Sequence, residues 1–210
     1  MKKFIVFISL VLLIISSSLK ADTFFPIVVE GWVNDSNYPN DNSLGVSNVT
    51  VEMFNPAGQR VFITQTINVG FYSMVVTSDT MGTYSIKYTH PAYETVYKTF
   101  TRSGPNVNLA INALLTVKCG NPYPVRTNGF GIRYWNTLRD AYINANESLD
   151  VIQVKENFVT ENLVADLNKT VYIMGGWDCT FFYRLSQSYI KNLTITNGSI
   201  NPQWMVIGQQ

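Results

Sequence analysis

Between Phe24 and Val117 the chain contains no stretch with a helical period. Seven short runs rich in Val, Ile, Thr, Tyr and Phe follow one another instead: "PIVVEGWV", "VTVEMF", "RVFITQTI", "FYSMVV", "TYSIKY", "TVYKTF" and "VNLAI". They recur every ~8–14 residues, and each is bounded by a cluster of Gly, Pro, Asn or Asp such as "NPAG", "NVG" or "RSGPN". In "VTVEMF", Val49, Val51 and Met53 alternate with Thr50, Glu52 and Phe54, as a strand with one buried face requires. Strands that short bury an apolar face only by stacking sheet on sheet, so the spacing predicts an all-β fold that opens with a small antiparallel sandwich.

The order of these elements adds a resemblance. "VEGWV", "LGVSNVTVEMFNPAG", "TQTINVGFY" and "MGTYSIKYTHPAYET" follow one another as in the carboxypeptidase regulatory-like domain, with Gly31, Gly45, Val46, Val49, Val51, Thr66, Gly70, Tyr72, Gly82, Tyr84, Ile86 and Tyr93 at the characteristic places. The segment 22–117 resembles that family over nearly its whole length. The resemblance implies a sandwich of the prealbumin-like or starch-binding-like kind, used as a non-catalytic module in secreted or surface proteins, and implies no peptidase activity.

The chain begins with Lys2 and Lys3, an apolar run from Phe4 to Ile15, and a small-residue stretch from Ser16 to Ala21. This is the pattern of a secretory signal peptide over residues 1–21, too short for a membrane span, and no cysteine follows it to carry a lipid. Removing Lys2, Lys3 and Lys20 from the 15 basic residues leaves 12 against 14 acidic ones. No Lys/Arg cluster appears, so nucleic acid is not an expected partner, and no stable membrane span remains after cleavage. Sequons at Asn48, Asn146, Asn168, Asn192 and Asn197 follow from an Asn- and Thr-rich composition.

The stretch 118–133, "KCGNPYPVRTNGFGIR", is dense in Gly, Pro and Asn and reads as a linker. One helix is expected after it. Thr137 or Asn136 can cap a segment in which Leu138, Ala141, Tyr142 and Ala145 share a face. Short strands then start at Val151, Val171, Leu193 and Trp204, with another around Leu163, a spacing of ~20 residues that points to stacked coils. "YWNTLRDAYINA", "LDVIQV", "ENLV", "MGGWDC" and "ITNGSI" resemble the start of a pectin-lyase-like right-handed parallel β-helix. That resemblance implies a capping helix and two to four coils over 134–210.

Candidate chemistry is sparse. Glycoside hydrolysis needs two carboxylates at a set separation, and lyases need a base with charge-neutralising partners. Asp140, Glu147, Asp150, Glu156, Glu161, Asp166 and Asp178 do not recur at the coil period. His90, the single histidine, has no partner at metal or triad spacing, and the loop from Asn34 to Asn42 lacks the ligand order of a calcium loop. No catalytic, cofactor or metal residue is therefore assigned. Trp32, Trp135, Trp177 and Trp204 are expected to fill cores, with sugar stacking as the other use of such rings.

Two cysteines in an exported chain open a further choice, between a Cys119–Cys179 disulfide and two free thiols. Gly175, Gly176, Trp177 and Asp178 read as a structural turn leading into Cys179. The expectation is a secreted, periplasmic or cell-surface protein, non-catalytic, with a structural or adhesive role and a glycan or cell-surface component as partner. Two alternatives stand beside it: an amino-terminal fragment of a β-helical polysaccharide-degrading enzyme, or a subunit that self-associates through an open coil end.

Overall fold

A computed structural model describes residues 25–208 apart from 148 and 157, so the signal peptide read over 1–21 lies outside the described residues. The described chain is all-β but for one seven-residue α-helix and short 3-10 turns.

The first module has eight strands: β1 (Phe25–Asp35), β2 (Thr50–Phe54), β3 (Arg60–Gln65), β4 (Phe71–Ser78), β5 (Gly82–Thr89), β6 (Val96–Arg102), β7 (Val107–Ala110) and β8 (Ala113–Leu115). They form two sheets, ordered β4-β1-β7 with β8 also on β1, and β3-β2-β5-β6; β7 and β8 run parallel to β1, which corrects the expectation of a wholly antiparallel module. Alternation decides which residues face inward. Val49, Val51 and Met53 are buried beside Tyr72, Met74, Tyr84 and Ile86, in one core supplied by both sheets. Each such side chain contributes about 1.5–3 kcal/mol through its removal from water. Gly31 is the point where β1 changes partner: a Cβ there would lie 2.1 Å from the Ile111 carbonyl oxygen, so the crossing from β7 to β8 requires glycine.

The second module starts earlier than its composition indicates. Within the stretch read as a linker, Val125–Asn128 forms a strand, β9, which pairs with β10 (Arg133–Trp135) and with β11 (Val151–Lys155). Its alternating side chains, Val125 and Thr127, are buried, and this burial outweighs the turn-rich surroundings. Helix α1 (Leu138–Asn144) begins where Thr137 accepts a hydrogen bond from the Asp140 N–H at 2.9 Å, and it buries Leu138, Ala141 and Tyr142.

Beyond α1 come β12 (Val159–Thr160), β13 (Leu163–Ala165), β14 (Thr170–Trp177), β15 (Ser188–Ile190), β16 (Leu193–Ile195), β17 (Ser199–Gln203) and β18 (Met205–Ile207). They stack as three parallel ladders, β11-β14-β17, β12-β15-β18 and β13-β16. The pairing corrects the spacing expected from sequence. The strand at Leu193 lies on Leu163, and the strand stacked on β14 begins at Ser199. Three short strands per level look like a shorter period when read along the chain, because each carries the same apolar pattern. Val125, Leu138, Ile152, Val154, Leu163, Val171, Ile173 and Ile190 close the core between the ladders and the helix.

Candidate functional site

Two features lie where the modules meet: a buried polar clasp and, beside it, an open cleft. The clasp is centred on Arg126 of β9, whose side chain is fully buried. Its Nη1 lies 3.3 Å from Asp35 Oδ2, and Asp35, on β1 of the first module, is fully buried as well. Arg126 Nε donates to Gln153 Oε1 at 2.6 Å, and Nη2 donates to the Phe181 carbonyl at 2.8 Å. The Tyr93 hydroxyl donates to Asp35 Oδ2 at 2.8 Å, and the Tyr134 hydroxyl donates to Tyr93 at 3.1 Å. Burial by itself would lower the pKa of Arg126, but Tyr134, Tyr93 and Asp35 outweigh it and hold the guanidinium charged. Burial pushes the Tyr93 phenol well above its ordinary value. The clasp is thus a neutralised pair with its remaining valences met, the condition for a buried ion pair to persist.

The loop after "MGGWDC" completes it. Gly175, Gly176 and Trp177 lie inside β14, which corrects their reading as a turn. Between Gln153/Met174 and Lys155/Trp177 the register slips by one residue, so Gly175 and Gly176 form a bulge in β14 opposite β11. Gly176 has φ +80, and a Cβ would sit 1.9 Å from the Ser186 carbonyl oxygen, which is why glycine is needed at the bulge. The turn comes one step later. Asp178 Oδ1 accepts from the N–H groups of Phe182 and Tyr183 at 2.9 and 3.2 Å, and its Oδ2 accepts from the Thr180 hydroxyl at 2.7 Å. The fold of this loop drives Phe181 into the junction, fully buried at φ +58, with its ring 4.7 Å from the Arg126 guanidinium. Cys179 and Cys119 form a disulfide across 60 residues, tying the same loop to the end of the first module.

The other singled-out residues hold loops. Asp150 accepts from the N–H groups of Asn146 and Phe130, Glu147 from Thr170, Glu156 from the Ser186 hydroxyl and Glu161 from Arg139, while Asp166 pairs with Arg139 at 2.8 Å. The acidic loop weighed for calcium has its carboxylates engaged, Asp35 in the clasp and Asp41 on Ser43. His90 packs against Tyr93, Tyr134 and Tyr123, and burial followed by the nearby Lys118 pushes its pKa down to about 4. The tryptophans depart from expectation: all four lie at core margins or in solvent, where a ring of that size with one polar edge is commonly found. Arg184 lies over two of them, 5.8 Å from Trp177 and 5.2 Å from Trp204. Arg126 and Phe181 carry no sequence signal of their role, since neither a buried arginine nor a left-handed phenylalanine differs by pattern from a surface one.

The cleft has a volume of about 520 Å³. The first module supplies Ser47, Asn48, Gln65, Thr66, Ile67 and Asn68, and the second supplies Arg133 and Trp135. Arg133 and Trp135 alternate on β10 and so project to one side. Arg133 Nη2 donates to Asn68 Oδ1, and Trp135 Nε1 donates to Thr127 Oγ1 at 3.2 Å, which fixes the ring. The backbone beside the cleft is strained: Asn48 has φ +60 and Val69 has φ +53, an outlier for a β-branched residue. Gly45 and Gly131 permit it, because a Cβ at either would meet the Val69 backbone at 2.0 or 2.9 Å.

No family model matches this chain, and no curated protein is similar to it. Among solved structures, it is similar to the Bacillus anthracis TIE protein at 18% identity and a TM-score of 0.33, over 43% of this chain and 16% of that one. Among the described residues no helix is long and apolar enough to cross a membrane.

Proposed function

We propose that the chain is an exported, non-catalytic protein of the cell surface or surroundings, built from a carboxypeptidase-regulatory-like sandwich docked on the start of a right-handed parallel β-helix. Its role is structural or adhesive, with a glycan or another surface component as partner. The observation that carries the reading is the Cys119–Cys179 disulfide at the junction, a bond that persists in oxidising compartments and locks two modules into one presenting body. The three parallel ladders under α1 support the β-helix part of the reading.

Incubating the mature chain with insoluble polysaccharides and with bacterial cells tests it. Retention of the protein without release of new reducing ends or unsaturated sugars is the expected result. Product release would favour the alternative of a polysaccharide-degrading fragment. A molar mass that rises with concentration in light scattering would favour the alternative of a self-associating subunit.

A further inference from the structure

We propose that the cleft between the modules binds an acidic sugar. The inference rests on the surface-binding reading above and gives it a site and a ligand class. Four features of the cleft converge on that chemistry.

The first is the donor set. Asn48, Gln65 and Asn68 present amides, which donate and accept in one plane and so match adjacent sugar hydroxyls. The second is an unmet valence. Ser47 is 4% exposed and lines the cleft, yet its hydroxyl has no hydrogen-bond partner, a state that costs free energy unless a ligand or water completes it. The third is Trp135, a half-buried indole in the wall held by its Nε1 bond to Thr127, the residue type on which sugar C–H groups pack. The fourth is charge. Arg133 is the one charged residue in the lining, and among the described residues it has an amide partner and no carboxylate. An unneutralised guanidinium beside hydroxyl-matching groups selects a sugar that bears a carboxylate, which it can hold with two parallel hydrogen bonds.

The volume lies in the range of small-molecule sites, and such sites form preferentially where domains meet. Both modules contribute to the wall, so the site exists only while the clasp and the disulfide hold them together. Among the described residues the lining offers amides, hydroxyls, a guanidinium and an indole, groups suited to holding a sugar.

Calorimetric titration of the disulfide-intact mature chain with a glucuronate trisaccharide, and with the neutral glucose trisaccharide, decides the matter. The acidic sugar should bind with an affinity that falls as salt is raised. Arg133→Met should weaken it by about tenfold or more and leave the weaker binding of the neutral sugar unchanged. Asn68→Ala, at an exposed position, should weaken both sugars, and an unchanged melting temperature shows that each variant folds. Acidic-sugar binding that survives both substitutions would overturn the site while leaving glycan binding intact. Equal affinity for the two sugars would overturn the acidic specificity. No heat from either sugar at about 1 mM would overturn the site and the glycan-binding form of the proposed function together.

Discussion

Replacing Arg126 by methionine keeps most of the volume of the side chain and removes the charge that faces Asp35. In the folded protein the Asp35 carboxylate, fully buried, would then keep only the Tyr93 hydroxyl on Oδ2 and the Asn37 N–H at 2.8 Å on Oδ1. A unit-charge pair at 3.3 Å is worth about 5 kcal/mol at an effective dielectric of about 20. The Gln153 amide oxygen and the Phe181 carbonyl lose their donor as well. Removing one member of a buried pair costs about 3–5 kcal/mol, mostly the penalty of the charge left behind. The companion change Asp35→Asn removes that charge, so the double variant should recover about 2 kcal/mol or more of the summed single losses. Urea unfolding of the oxidised protein gives the free energies, and limited proteolysis between residues 118 and 124 reports whether the modules have separated. A loss below about 1 kcal/mol for Arg126→Met, or strict additivity in the cycle, would refute the idea that this pair holds the junction.

The paired change Cys119→Ser with Cys179→Ser reopens a loop of 60 residues and should lower stability by about 4 kcal/mol, read as a shift of the urea midpoint that reductant reproduces in the parent. His90, held neutral by burial with its pKa near 4 against an ordinary 6.5, should favour folding fully above pH 6.5 and progressively less as acid is added down to about pH 4. Between pH 7 and 4.5 the parent should therefore lose about 2 kcal/mol more than His90→Gln, by urea titration at each pH; equal losses would exclude the histidine as the cause. Gly176→Ala places a methyl against the Ser186 carbonyl at a positive φ and should cost more than about 2 kcal/mol, whereas Gly58→Ala, with open space around it, should cost less.

Much of the first module is legible along the chain. Strand periodicity in "VTVEMF" and the turns around it are local effects, and all seven runs appear as strands. Helix α1 is equally local, since Thr137 and the stripe of Leu138, Ala141 and Tyr142 act within two turns. The second half resists the same reading. Val125–Asn128 sits among turn-forming residues and becomes a strand because β11 pairs with it. The ladder register is set by burial between residues ~30 positions apart, as Leu163 on Leu193, and several apolar triplets fit such a pattern equally well.

The sequence by itself thus determined the β class, the helix cap and the pair of cysteines available to bond, because propensity, alternation and capping act over a few residues. Only the tertiary structure decided what those parts do together. Arg126 and Asp35 stand 91 residues apart, and whether an arginine is solvated or buried depends on the carboxylate that folding brings to it. "MGGWDC" shows both limits: its glycines announce an unusual backbone, but the bulge follows from the pairing of β14 with β11, and the burial of Phe181 beyond it from the junction that folding builds around Arg126.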